Sequence, residues 1–354
     1  MNCINRFTHL ALAVVLFMPL AALHAAGLAN LRCEDLTNPL GIDAARPRLS
    51  WVIESDRRGE RQAAYQVLVA SSEDLLKSDK GDLWDSGKVE SDQSIQVEYA
   101  GKPLESRMKS HWKVRLWTLP SAPPTAWSAP ASWTMGLLKP EDWHAKWITH
   151  PDPKRLSHPW LRRTFEIKEA IQRAVIHINT PSYYELHING KKVGPYVLEP
   201  GITQNNKRFV VNVYDVTSCL VKGTNTIALW MGPGWHQPRN GNTFNAPILR
   251  AELTVETPSG SMHIGTDASW RVKESCISQI GGWKWNDFGG ERFDAREFAE
   301  DWNQTGLDDS QWVGAREIPA PNVAHSWQGC ESARLSDPVK PVEIRRLQNG
   351  KWGD

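Results

Sequence analysis

The sequence predicts an all-β chain made of two consecutive β-sandwiches. Three observations carry this. Apolar and polar residues alternate over short runs, the period of a half-buried strand. Turn-forming residues punctuate those runs. Helical periodicity is thin, with Ser72–Lys77 offering a single turn.

Residues 1–26 read as a secretory leader. Arg6 gives a weakly positive start, Leu10–Leu23 is an apolar run, and Ala25 and Ala26 are small enough for cleavage. The run is short for a membrane span. The expected location is therefore periplasmic or extracellular, with no span left after cleavage.

Residues 27–140 are expected to form the first sandwich. Leu49, Trp51 and Ile53 mark one strand face, as do Tyr65, Val67 and Val69, then Ile95, Val97 and Tyr99, then Trp112, Val114 and Leu116. Asp56–Gly59, Asp85-Ser86-Gly87 and Ser121–Pro124 turn the chain between them. Short strands spaced in this way predict a fibronectin type III or immunoglobulin-like fold. Pro140, Pro151, Pro153 and Pro159 mark a connector, within which His144–Ile148 should form a strand of the next domain.

The second sandwich is expected over residues 141–322, opening with Leu161–Ile167. Ala174, Ile176 and Ile178 alternate with Val175, His177 and Asn179; Tyr184, Leu186 and Ile188 alternate with Tyr183, Glu185 and His187. Asn189-Gly190 tolerates positive φ at both positions and so predicts a tight hairpin. Phe209, Val211 and Val213 continue the pattern. Thr226–Met231 is apolar on both faces and should be a central strand, and Ile248–Val255 follows as a further strand. In the tail, residues 323–354, Val339–Leu347 reads as a strand and Asn349-Gly350 as a turn with four residues beyond it. That end resembles the truncated start of a further β-domain, so the chain reads as the front of a longer protein; a natural short form is the other reading.

A net charge of +1 removes any general electrostatic case for nucleic acid or an anionic membrane. The 18 Trp residues suit sandwich cores, with a few left as platforms for sugar rings. Beyond the leader stand Cys33, Cys219, Cys276 and Cys330. They allow three full pairings, fit no metal-ligand spacing, and leave free thiols or one bridge both open.

Several segments are worded like the N-terminal region of bacterial α-L-rhamnosidases. LRCEDLTNPLGIDAARPRLSW, AYQVLVASS, LWDSGKVESDQS, WKVRLW and AWSAPASWTMGLL resemble, in order, the fibronectin-like module at the start of those enzymes. YYELHINGKKVG, VLEPG, YDVT, MGPGWH, TDASWRV, GGERFDARE and WNQTGLDDSQW resemble the module after it, a jelly roll akin to galactose-binding domains. The resemblance covers nearly all of Leu31–Pro341. It implies a glycoside hydrolase whose catalytic (α/α)₆ barrel lies beyond these two modules.

Glycoside hydrolysis needs two carboxyl groups, one to protonate the leaving oxygen and one to activate water or attack the sugar. In the family those acids sit in the barrel, which no stretch here matches, so no catalytic residue is expected. Neither H-E-x-x-H nor G-x-S-x-G is present. His177 and His187, on consecutive strands, read as a paired surface face. Gly232-Pro233-Gly234 lacks the helix a phosphate loop needs, and Asp308-Asp309 reads as a solvated turn.

Some members of the resembling module bind rhamnose with a calcium ion, which implies a carbohydrate site and calcium without assigning its ligands. The loops near Tyr183–Glu185, Gly234–His236, Asn240–Asn245 and Gly289–Glu291 would meet at one end of the sandwich. Trp235 would be the platform, with Tyr184, Glu185, His236, Asn242 and Glu291 around it. The same residues also read as core for Tyr184 and Trp235 and as a turn cap for Glu291. Three roles follow: a non-catalytic support or rhamnose-type glycan-binding portion; a component of an active enzyme whose barrel is encoded separately or lost; or an extracellular interaction module without sugar binding. In the first two, the partners would be a rhamnose-containing glycan and a catalytic domain.

Overall fold

The computed structural model describes residues 27–121, 123–152, 158–234, 246–281 and 290–343. The expected leader and the Asn349-Gly350 turn lie outside them. Among the described residues, no helix is long and apolar enough to cross a membrane.

The first sandwich contains β1 (Gly27–Cys33), β2 (Arg48–Glu54), β3 (Ala64–Ala70), β4 (Trp84–Asp85), β5 (Val97–Glu98), β6 (Lys109–Trp117) and β7 (Ala131–Thr134). β1, β2 and β5 make one sheet; β4, β3, β6 and β7 make the other. The alternating faces read from sequence meet between them: Leu49, Trp51, Val67, Val69, Trp112, Val114 and Trp133 share one core. One α-helix, α1 (Glu73–Lys77), is found among the described residues; it is capped by Ser72, whose Oγ accepts from the Leu75 N–H at 3.3 Å. The run through Ile95, Val97 and Tyr99 shrinks to two strand residues. Gln96 takes φ +53°, which breaks the alternation and leaves Ile95 66% exposed.

The second sandwich begins with β8 (Trp147–Thr149), β9 (Pro159–Ile167), β10 (Arg173–Asn179), β11 (Tyr183–Ile188), β12 (Lys191–Lys192), β13 (Arg208–Asp215) and β14 (Gly223–Gly232). It continues with β15 (Ile248–Thr257), β16 (Gly260–Gly265), β17 (Arg271–Glu274), β18 (Ile277–Ile280), β19 (Gly290–Phe293), β20 (Val313–Gly314), β21 (Arg316–Ile318) and β22 (Ala324–Trp327). One sheet runs β21-β8-β15-β10-β13-β22, with β16 also on β15; the facing sheet runs β12-β11-β14-β9-β17-β20. Ala174, Ile176 and Ile178 of β10 and Leu249, Ala251 and Leu253 of β15 pack against Leu186 and Ile188 of β11 and Ile227 and Leu229 of β14.

Asn189 and Gly190 take φ +50° and +81° and join β11 to β12, as the dipeptide predicts. β14 lies inside its sheet between β11 and β9. The connector strand starts later than expected, at Trp147, and pairs with β15. The N–H groups of His144 and Ala145 turn instead to the carboxylate of Glu252. His177 and His187 do not form one face, because the chain crosses from one sheet to the other between β10 and β11. Val339–Glu343, the described part of the expected C-terminal strand, forms no strand. None of Cys33, Cys219, Cys276 and Cys330 is in a disulfide.

Both outer faces of this sandwich are covered. Over the β9–β14 face lies an aromatic layer: Trp160, Trp302 and Trp312 are buried together, with Trp230 and Phe298 against them. Trp160 stacks on Trp302 with ring centroids 5.5 Å apart and planes at 11°. Arg162, fully buried, lies 5.8 Å from the Trp312 ring centre and donates to Asp309 Oδ2 at 2.7 Å, so Asp309 is an ion-pair partner rather than a solvated turn residue. The β10–β13–β15 face is covered by the first sandwich. Gly41 sits on Val213 so closely that a Cβ would meet Val213 Cγ2 at 2.2 Å. The Trp327 N–H donates to Asp43 Oδ2 at 3.0 Å, and the Trp327 ring packs on the first core.

Candidate functional site

One end of the second sandwich gathers the ends of four strands. Tyr183 opens β11 opposite Gly232 at the close of β14; Pro159 opens β9 opposite Glu274 at the close of β17. This is the end from which the sequence would build a sugar site. Trp235, His236 and Asn242 lie outside the described residues.

The three described members of that set are not brought together as one polar ring. Tyr184 points inward and is 5% exposed. Its hydroxyl is 2.5 Å from that of Tyr214, which donates to the buried Glu199. Burial first, and then the Glu199 charge, push the Tyr184 phenol well up. Tyr184 is thus a core residue, because the inward period of β11 includes it. Glu185 faces outward, accepting from Lys192 Nζ at 2.6 Å, with His187 Nε2 3.7 Å away. His187 and then Lys192 hold its carboxyl at about 2, against the opposing effect of burial. Glu291 lies in β19, with Oε1 3.0 Å from Nε2 of the buried His158. Burial pushes the His158 imidazole down, with Glu291 opposing it.

Beside His158 opens a cleft of about 770 Å³ lined by His150, Asp152, Lys273, Glu274, Glu297 and Gln311, among others. His150 Nε2 lies 3.3 Å from Glu274 Oε1. The lining holds charged and amide groups that can meet hydroxyls, and among the described residues no Trp, Tyr or Phe lines it. A glycosidase general acid needs a carboxyl held protonated by an apolar setting. Each described carboxyl displaced from its ordinary pKa, including Glu34, Asp79, Asp82, Asp142, Glu185 and Glu252, is displaced downward. Such groups stay ionised and cannot protonate a leaving oxygen at neutral pH.

The densest polar cluster lies elsewhere, at the seam between the sandwiches. Glu252 of β15 is fully buried. Its Oε1 accepts from Arg107 Nη2 of the first sandwich at 2.6 Å and meets His144 Nδ1 at 3.0 Å; its Oε2 accepts the N–H groups of His144 and Ala145 at 2.6 and 3.0 Å. His263 Nδ1 stands 3.5 Å from Oε1, and the His144 and His263 rings stack with centres 4.4 Å apart. Burial would raise the Glu252 pKa, but these hydrogen bonds outweigh it and hold it below the ordinary value. Next on β15, Arg250 lies 4.0 Å from the Trp143 ring centre, its pKa lowered to about 10 by burial. Sequence reading missed this cluster because Arg250, Glu252 and Thr254 occupy the alternate positions of β15, which look solvent-facing in a strand of one sheet. Their only sequence signal is one of distance: the partners lie on three separate stretches.

Calcium requires six to eight oxygen ligands. Among the described residues the group able to surround an ion is His144, Glu252 and His263, which offers one carboxylate and two imidazoles. Those residues do not fit calcium.

Tandem sandwiches, the second carrying its own aromatic layer and bolted to the first through a buried carboxylate, define a two-module β architecture. Comparison with known proteins places that architecture. Residues 28–139 match the Rha78A-like N-terminal immunoglobulin domain, and residues 169–337 match the α-L-rhamnosidase N-terminal domain. The chain belongs to the α-L-rhamnosidase family and corresponds to its N-terminal region. An α-L-rhamnosidase of Formosa agariphila is 30% identical over 89% of this chain and 36% of its own length. One from Streptomyces avermitilis is 33% identical over 83% of this chain and 27% of its own length. The solved structure of the α-L-rhamnosidase from Dictyoglumus thermophilum superposes with a TM-score of 0.78 at 33% identity, over 85% of this chain and 35% of that one. The chain thus spans about a third of the length of the relatives it matches.

Proposed function

We propose that this chain is the exported, non-catalytic N-terminal portion of an α-L-rhamnosidase-type glycoside hydrolase. Its work is to present a rigid two-sandwich support to a separate catalytic domain, with a carbohydrate contact at the cleft beside His158. The carrying observation is the seam: a buried charge cluster joins the two domains, which is what a support requires. Export rests on the leader-like residues 1–26.

The test has three arms. Purified protein should release no rhamnose from an aryl rhamnoside; turnover that survives repurification overturns the non-catalytic reading. A separately expressed catalytic domain from a related rhamnosidase should bind the chain and gain thermal stability from it; absence of binding removes the support role. Saturating rhamnose should raise the melting temperature by binding the folded state, and Lys273→Ala should erase that rise. A shift that Lys273→Ala leaves intact moves the sugar contact away from the cleft.

A further inference from the structure

We propose that His144, His263 and Glu252 form a binding site for a divalent transition-metal ion of the zinc, nickel or cobalt type. All three offer a ligand atom, and those atoms lie within 4.8 Å of one another. The two spacings to the carboxylate fit one ion. Ligands at zinc's usual bond lengths, at the corners of a tetrahedron, stand about 3.4 Å apart. Here His144 Nδ1 is 3.0 Å and His263 Nδ1 is 3.5 Å from Glu252 Oε1. Two imidazole nitrogens and one carboxylate oxygen suit borderline metals and not magnesium or calcium. Both imidazoles reach solvent, with side chains 58% and 28% exposed, so an ion can enter and the fourth corner can hold water.

Glu252 supplies a preset anionic anchor. Its Oε2 is fixed by two backbone N–H groups, which orients Oε1 toward the imidazoles. Arg107 donates to the same Oε1 at 2.6 Å. A carboxylate oxygen has two lone pairs, so guanidinium and metal can share it; the positive charge lowers affinity without closing the site. His263 is further held by Thr254, whose Oγ1 lies 3.2 Å from the same Nδ1, so metal binding must displace that contact. The ligands come from the connector, β15 and β16, and an occupied site would tie the connector to the second sandwich beside the Arg107 contact.

The experiment uses the full chain without an affinity tag, carrying Cys330→Ser to remove the exposed thiol, and stripped of metal by a chelator. Zinc and nickel chlorides are titrated by calorimetry, and cobalt chloride is followed by visible absorption. The proposal predicts one ion per chain, cobalt bands of low-coordinate nitrogen and oxygen ligation, and at least about tenfold weaker binding in both His144→Ala and His263→Ala. His144 is exposed, so its variant keeps the fold. Binding unchanged in both histidine variants, or no uptake at millimolar metal, overturns the proposal.

Discussion

The two outer faces of the second sandwich are covered in opposite ways. Over β9 and β14 the chain lays its own tryptophans, an apolar cover built from Trp160, Trp302 and Trp312. Over β10, β13 and β15 another domain sits, and much of the contact is ionic and hydrogen-bonded: Arg107 to Glu252, Asp43 to the Trp327 N–H, Arg173 to Thr134. Apolar burial is non-directional and stabilises whatever excludes water. A buried carboxylate stabilises one arrangement only, because leaving its donors costs several kcal/mol. The tryptophan layer therefore holds the sandwich together, while the seam sets the angle at which the first domain stands.

Substitutions can break this contrast. The largest effect is expected from Glu252→Ala, which removes the carboxylate shared by Arg107 and the N–H groups of His144 and Ala145; loss of one partner of a buried pair costs about 3–5 kcal/mol. Urea unfolding should register it together with separation of the two domains. Trp160→Ala should cost a comparable ~3–5 kcal/mol through its cavity, yet leave the two domains unfolding together. Gly41→Ala comes next. Its φ of +73° and the 2.2 Å approach of Val213 combine strain with overpacking at the seam, an expected loss of about 1–3 kcal/mol.

Acid should weaken the seam face. Burial, and then the charge of Arg250, push the His325 imidazole from 6.5 down to about 4. The unfolded chain takes up that proton first, so stability falls as pH drops from about 6.5 towards 4 and is unaffected above this window. His325→Gln, which can still accept from Asn179 Nδ2, should flatten that part of the profile of urea midpoint against pH. The smallest effect belongs to Glu185→Gln. Its partner Lys192 is solvent-accessible, so the loss should stay below about 1 kcal/mol and vanish in high salt.

Period-2 alternation made the inward halves of β2, β3, β6, β10 and β11 legible, and Asn189-Gly190 fixed a hairpin to the residue. These are local rules, and local sequence obeys them. The outward halves were not legible. Val175, His177, Arg250 and Glu252 lie on the face that the first sandwich covers, and nothing in a strand's own period announces that cover. The candidate sugar site suffered from the same rule in reverse: Tyr184 shares the inward period of Leu186 and Ile188, and so joins the core. The run Ile95–Tyr99 was read too long because residue type does not announce the positive φ of Gln96, and the His158 partner of Glu291 lies far away in the sequence.

Scanning calorimetry of the intact chain tests the seam most directly. If the polar cover joins the sandwiches into one support, heating gives a single transition whose calorimetric and van't Hoff enthalpies agree. Two resolved transitions in the unaltered protein, unmoved by Glu252→Ala, would contradict it.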